Sequence, residues 1–249
     1  MNARRVALLG FGRMGRVLAG VIGDAVPELE VSAIADPRPD LRDVAASVSP
    51  RARLVGSAKD ALAEADACVS ASPTPLHADQ VAAALSAGLP VFCEKPLTLD
   101  PARSLALGAQ AAERGLALQV GFYRRFAAPW RAVAAAVGRG AIGTPVLATV
   151  AFFDRSLPIP SFADPAVIGG LLVDNGIHEI DALRWLLGPI ADASMMPGPD
   201  PEGSLTAAGD LAVASVTLRF ASGAIATLGL TRGLAGADGT RLEIVGTSG

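Results

Sequence analysis

The sequence predicts an α/β fold over its first half and a strand-rich second half, and three observations carry that prediction. Short β-rich runs alternate with Ala-rich helical stretches from residue 5 to about residue 120. A glycine fingerprint joins the first of these runs to the first helical pattern, and beyond residue 121 longer strands and a turn-linked hairpin take over. Strands separated by helical patterns argue for βαβ crossovers and a parallel sheet covered by helices on both faces. The expected domains are residues 1–121 and residues 122–249.

In chain order, residues 6–9, 31–35, 68–71, 91–93 and 116–120 read as strands, and residues 15–21, 60–65, 76–87 and 102–114 as helices. A helix over residues 130–137 then leads to a long strand over 145–153, a Pro-rich stretch and a helix over 178–187. Residues 211–220 and 224–230 flank Ser222 and Gly223, a turn signal that makes them an antiparallel hairpin. Residues 188–210, rich in Pro and Gly, are expected to form a loop or covering flap. The final strand, 241–245, runs into a Gly-rich turn, so the second domain is expected to stop short.

Composition narrows the class. With 249 residues, 51% hydrophobic and 18% charged, the chain is not disordered. A chain of this mass buries roughly 70% of its unfolded surface without metal or disulfide staples. The formal charge of −3 gives no pull toward nucleic acid or an anionic membrane, which leaves a small-molecule ligand. Cys68 and Cys93 sit in apolar runs as buried thiols rather than as a disulfide framework. The first apolar run is too short for a signal segment or a membrane span, and a soluble cytoplasmic protein is expected.

The chemistry begins at the loop Gly10, Phe11, Gly12, Arg13, Met14, Gly15, which follows a strand and opens a helix. Gly10 permits the tight turn, Gly12 lets a pyrophosphate approach the backbone, and Gly15 lets helix and strand pack closely. Asp36 closes the next strand, where a carboxylate accepts hydrogen bonds from the ribose hydroxyls of NAD and repels the 2′-phosphate of NADP. Arg38, two residues on, reads first as an exposed loop arginine, but it is able to meet such a phosphate, so NADP is not excluded.

Glu94, Lys95 and Pro96 end the strand at 91–93, and the carboxyl ends of parallel strands are where ligands sit. Lys95 is therefore expected to project toward the nicotinamide end of a bound cofactor. Asp174 and His178 precede an apolar stripe of Leu183, Leu186 and Leu187, and in a helix their i, i+4 spacing puts them on one face. A capping aspartate and a core histidine would give the same pattern, yet a carboxylate beside a histidine also sets its tautomer for proton transfer. Two distant histidines and two core cysteines make no credible metal set. His77, at the start of a helix, suits a cofactor pocket and a purely structural role equally.

The glycine loop resembles that of the Gfo/Idh/MocA oxidoreductases. So do the run from Ser72, Pro73 and Thr74 to His77, the Glu94, Lys95, Pro96 turn, the run from Gly121 to Phe126, and the run from Asp174 to Trp185. Within that family the chain is most similar to the inositol 2-dehydrogenase branch. The resemblance implies a Rossmann domain followed by an α+β domain on a large, open, mostly antiparallel sheet. One face of that sheet would be the interface of a homo-oligomer, a dimer or tetramer.

It also implies roles: Lys95, Asp174 and His178 as the catalytic triad, and Arg124 and Asp154 as contacts to a polyol. Ser72, Pro73, Thr74, His77, Glu94, Lys95 and Pro96 would join the glycine loop and Asp36 in holding NAD. The implied activity is that of an NAD(P)-dependent dehydrogenase moving hydride between the cofactor and a CH–OH group of a cyclic polyol or sugar. A ketosugar reductase of the same family and a non-catalytic dinucleotide sensor are the alternatives. The loops around residues 154–164 and 233–239 match no family signature, which leaves the substrate open.

Overall fold

The computed structural model describes residues 3–157, 164–234 and 238–249. The chain divides into two compact units, residues 1–121 and residues 122–249.

The first unit is a six-stranded parallel sheet with helices between the strands. Its strands are β1 (Arg4–Leu9), β2 (Leu29–Ala35), β3 (Arg53–Val55), β4 (Ala67–Ser70), β5 (Val91–Cys93) and β6 (Leu118–Val120), in the spatial order β3-β2-β1-β4-β5-β6. The helices are α1 (Arg13–Ala25), α2 (Arg42–Val48), α3 (Ala58–Leu62), α4 (Thr74–Ser86) and α5 (Pro101–Glu113). Two-residue periodicity sends alternate side chains of β1 to opposite faces of the sheet. Val6 and Leu8 join a core with Phe11, Ala19, Ile22 and Ile34, whereas Ala7 and Leu9 join one with Cys68, Val81, Leu85 and Cys93. Because helices cover both faces, the last four residues of β1, Val6 to Leu9, read as an unbroken apolar run after the exposed Arg4 and Arg5. α1 buries Gly15, Ala19 and Ile22, one stripe at i, i+4, i+7 spacing. Burial pushes both thiols, Cys68 and Cys93, up to about 12.

The second unit packs helices on one face of a five-stranded sheet. Its helices are α6 (Ala128–Gly138), α7 (Pro165–Ile168), α8 (Ile177–Leu187) and α9 (Ser204–Ala207). Its strands are β7 (Pro145–Asp154), β8 (Ile190–Pro197), β9 (Val213–Phe220), β10 (Ile225–Arg232) and β11 (Gly239–Gly246), ordered β11-β7-β10-β9-β8. α8 lays Leu183, Leu186 and Leu187 against Ala148 and Val150 of β7, Val216 and Leu218 of β9, and Leu228 and Leu230 of β10. The sheet is open but mixed, which corrects the mostly antiparallel expectation: β7 and β10 pair parallel, beside three antiparallel pairs. Alternating burial along a strand reports which face is covered, not which way its neighbour runs.

Two further expectations are corrected. Residues 188–210 are not a flap, since they contain β8, an antiparallel edge strand on β9, and α9. β8 is exposed along nearly its whole length, so no buried face stamped a period on its sequence. The segment before α8 is not α-helical either. Residues Leu171–Gly176 form a π-helical turn, and α8 starts at Ile177. Among the described residues, no helix is long and apolar enough to cross a membrane.

Candidate active site

The glycine loop lies at the carboxyl edge of the first sheet, between β1 and α1. Gly10 has φ of +89°, and a Cβ there would sit 2.6 Å from the backbone of Ser72, which follows β4 closely. A Cβ on Gly15 would overlap the carbonyl oxygen of Gly10. Gly12 differs: nothing lies within 4 Å of its Cβ position. Gly12 is also the N-cap of α1, with no side-chain cap and no acidic residue in the first turn. The loop thus offers an uncapped helix start under open space, the arrangement that a pyrophosphate needs. The residues present fit a dinucleotide.

Asp36 follows β2 directly and is buried. One carboxylate oxygen accepts the backbone N–H of Phe11 at 2.9 Å and an Arg38 guanidinium nitrogen at 2.8 Å. The other accepts the backbone N–H and Nε of Arg38 at 3.1 and 2.9 Å. Burial pushes the Asp36 carboxyl up, but Arg38 and the two amides outweigh it and hold the group below its ordinary value.

Ser72, Pro73 and Thr74 form the turn into α4, and His77 is buried on that helix. Its Nδ1 and Nε2 each lie 2.8 Å from a carbonyl oxygen, of Pro96 and Ser72 respectively. His77 therefore bridges the loops after β4 and β5. Burial, aided by the charge of Lys95, pulls the ring below its ordinary value against the two carbonyls. The Lys95–Pro96 bond is cis. Glu94 is half-buried, and burial raises its carboxyl while the Lys95 amide and ammonium oppose the rise. The expected cofactor residues of this unit thus lie on the loops and the first helical turns that follow β1, β2, β4 and β5.

In the second unit the π turn carries Asp174 and Asn175, and His178 and Glu179 follow at the start of α8. Arg232, the last residue of β10, organises this corner. Its side chain is 3% exposed and donates to Asp210 at 2.9 Å through one terminal nitrogen. The other terminal nitrogen contacts the Asp174 carboxylate and the Asn175 side-chain oxygen. Asp210 also accepts the backbone N–H groups of Leu171 and Leu211, each at 2.8 Å. Asn175 donates to Asp154 at 3.0 Å, and Asp154 is opposite Arg232 in the β7–β10 ladder. Asp154 and Asp174 are thereby gathered around Asn175 and Arg232.

A single 3₁₀ turn, Tyr123–Arg125, is fastened to α8. The ring of Tyr123 meets that of His178 edge-on, 4.8 Å between centroids. Arg125 makes two bonds to Asp181, at 2.8 and 2.7 Å. Arg124, expected beside a polyol, is buried against the Glu179 carboxylate and donates to the Thr240 hydroxyl at 2.9 Å. Its guanidinium also stacks over Trp130, 4.9 Å from the ring centre. Glu179 supplies the reason: a fully buried carboxylate one position beyond His178 requires a cation. Neither Arg232 nor Asp210 was anticipated, although Arg232 extends the inward-facing series Ala226, Leu228, Leu230 by one polar step.

A parallel sheet in this strand order, a glycine loop opening the first helix and an acid after the second strand define a dinucleotide-binding domain. The family model described as "Oxidoreductase family, NAD-binding Rossmann fold" matches residues 4–122, and that of the GFO/IDH/MocA C-terminal domain matches residues 130–249. The chain belongs to the GFO/IDH/MocA family, and its first unit is the NAD-binding domain of that family.

The inositol 2-dehydrogenase of Rhizobium meliloti is 34% identical over 98% of this chain and 74% of its own length. That of Rhodococcus erythropolis is 37% identical over 74% of this chain, and the match spans 52% of the relative. Scyllo-inositol dehydrogenase from Lactobacillus casei, solved with NAD(H) and scyllo-inositol, superposes with a TM-score of 0.91 at 28% identity. That superposition covers all of this chain and 75% of that one.

Proposed function

We propose that this chain carries out reversible hydride transfer between a nicotinamide cofactor and a secondary alcohol of a cyclic polyol or sugar, with inositols the first candidates. The observation that carries this reading is the polar cluster of Asp154, Asn175 and Asp174 leading to His178. Carboxylates and an amide gathered ahead of a histidine suit a substrate with several neighbouring hydroxyls. The likeness to inositol dehydrogenases supports the same substrate class.

NAD, when bound, supplies the acceptor for the hydride of the carbinol carbon. The chain's own residues manage the proton and the charge. His178 takes the hydroxyl proton, because hydride leaves a carbinol carbon more readily as its oxygen becomes an alkoxide. Asp174, held by Arg232, orients the imidazole and balances the imidazolium. Lys95 contributes a positive charge to the alkoxide as it develops. Asp154 and Asn175 hold neighbouring hydroxyls.

We further place a homo-oligomer interface on the outer face of the second sheet. Exposed Leu147, Ile225 and Val245 lie side by side across β7, β10 and β11, and an apolar row of this kind suits a partner copy. Light scattering that returned only a monomer would overturn this placement.

The test of the activity is absorbance-detected NADH formation over a panel of cyclic polyols and sugars, myo-inositol and scyllo-inositol first. Turnover on a cyclic polyol, abolished by Lys95→Ala, is the expected result. A folded chain that binds NADH and turns over none of them in either direction would favour the sensor reading.

A further inference from the structure

We propose that Arg38 determines cofactor specificity, relaxing the preference for NAD that Asp36 would otherwise impose, so that the chain binds NADPH as well as NADH. The inference concerns the first unit alone and holds whichever alcohol is the substrate.

An aspartate at the end of the second strand selects NAD for two reasons: it accepts hydrogen bonds from the ribose hydroxyls, and its charge repels a 2′-phosphate. Here both reasons are undercut. A carboxylate offers about four lone-pair sites, and four donors already fill them: the Phe11 amide, and the amide, Nε and a terminal nitrogen of Arg38. The charge is also matched, since the guanidinium lies flat against the carboxylate in a two-pronged pair.

The geometry makes Arg38 a movable partner. Its side chain is 52% exposed, whereas that of Asp36 is 5% exposed. The Arg38 backbone N–H bond to Asp36 anchors the residue whatever its side chain does. If the guanidinium swings away, the two amides still satisfy the buried carboxylate, one on each oxygen. Two acceptor sites then open toward ribose hydroxyls. With a 2′-phosphate in their place, the released guanidinium meets it as a planar fork, the geometry that arginine uses for phosphates. Asp40 stands two residues further along the same loop, so the loop keeps one net negative charge over Asp36, Arg38 and Asp40. NADPH is accordingly admitted rather than preferred.

Equilibrium fluorescence titration of the 249-residue chain with NADH and with NADPH tests the proposal without any turnover. For the parent, the two dissociation constants are expected to lie within about tenfold of each other. Loss of one charge-assisted contact corresponds to roughly ten- to a hundredfold in affinity. Arg38→Ala should weaken NADPH by that factor and leave NADH within about threefold, and Arg38→Lys should recover part of the NADPH binding. NADH binding serves as the internal check on folding. A parent that rejects NADPH by more than about a hundredfold would overturn the proposal, as would an Arg38→Ala variant that weakens both cofactors equally.

Discussion

The guanidinium of Arg124 lies against the carboxylate of Glu179, the residue directly after His178, and both side chains are buried. Arg124 Nε and one Glu179 oxygen have no hydrogen-bond partner among the described residues, so the pair is held chiefly by its mutual contact and Thr240. Removing one member of such a pair costs about 3–5 kcal/mol, because the other charge is left buried.

Arg124→Met is therefore expected to lose about that much stability at neutral pH, read by denaturant unfolding. The sign with pH follows from Glu179. Burial raises its carboxyl above the ordinary value of 4.5, and Arg124 opposes the rise. Without Arg124 the folded-state value rises further. The variant's deficit should thus be small below pH 4.5 and grow as pH climbs through the folded-state value. A deficit that did not change with pH would show that Glu179 is not the group left uncompensated.

Gly12 and Gly15 separate cofactor binding from folding. Gly12→Ala places its methyl in open space and should cost only the difference between glycine and alanine at an N-cap, about 1 kcal/mol or less, while NADH affinity falls about tenfold or more through lost backbone approach. Gly15→Ala drives its methyl into the Gly10 carbonyl and should lower both stability and affinity. Titration and thermal melting of the two variants, side by side, check this. Equal melting losses would contradict it.

Asp36 gives a second pH prediction. Its folded carboxyl lies below the ordinary 3.8, so its contribution to stability is complete above that value and disappears as pH falls through the folded-state value. A carbon-detected NMR titration should find its midpoint below 3.8 in the parent and higher in Arg38→Ala. An unmoved midpoint would mean that the amides alone set it.

Asp210 touches the candidate catalytic corner only through Arg232 and the Leu171 amide, which makes it a positioning residue. Asp210→Asn should lower kcat while leaving NADH binding intact, with less loss than Asp210→Ala because the amide oxygen still accepts. Identical losses in the two variants would argue for a structural role alone.

Much of the fold was legible because its buried faces write a period into the sequence. β1, α1, α8 and the β9–β10 hairpin all do so. β8 was not, since an edge strand exposed on both faces imposes no pattern, and the direction of β7 against β10 leaves no mark on either strand. At the site, the glycine loop, Asp36 and the segment holding Asp174 and His178 announce themselves by residue type and spacing. Arg232 and Asp210 do not, because each acts across tens of residues of sequence, Arg232 reaching Asp174 from the end of β10 and Asp210 reaching Arg232 from the loop before β9. Arg124 was read by its motif, and its burial against Glu179 became visible only with the packing of α8.

The most direct test is kcat for NADH formation, measured beside the NADH dissociation constant, in the parent, Lys95→Ala and His178→Ala. Loss of the base, or of the charge that meets the alkoxide, should lower kcat by about a hundredfold or more. For His178→Ala the dissociation constant should stay within about threefold, because that side chain is assigned to the alcohol and not to the cofactor. A His178→Ala variant that turned over like the parent would contradict the assignment of that residue as the base, and with it the account of the site.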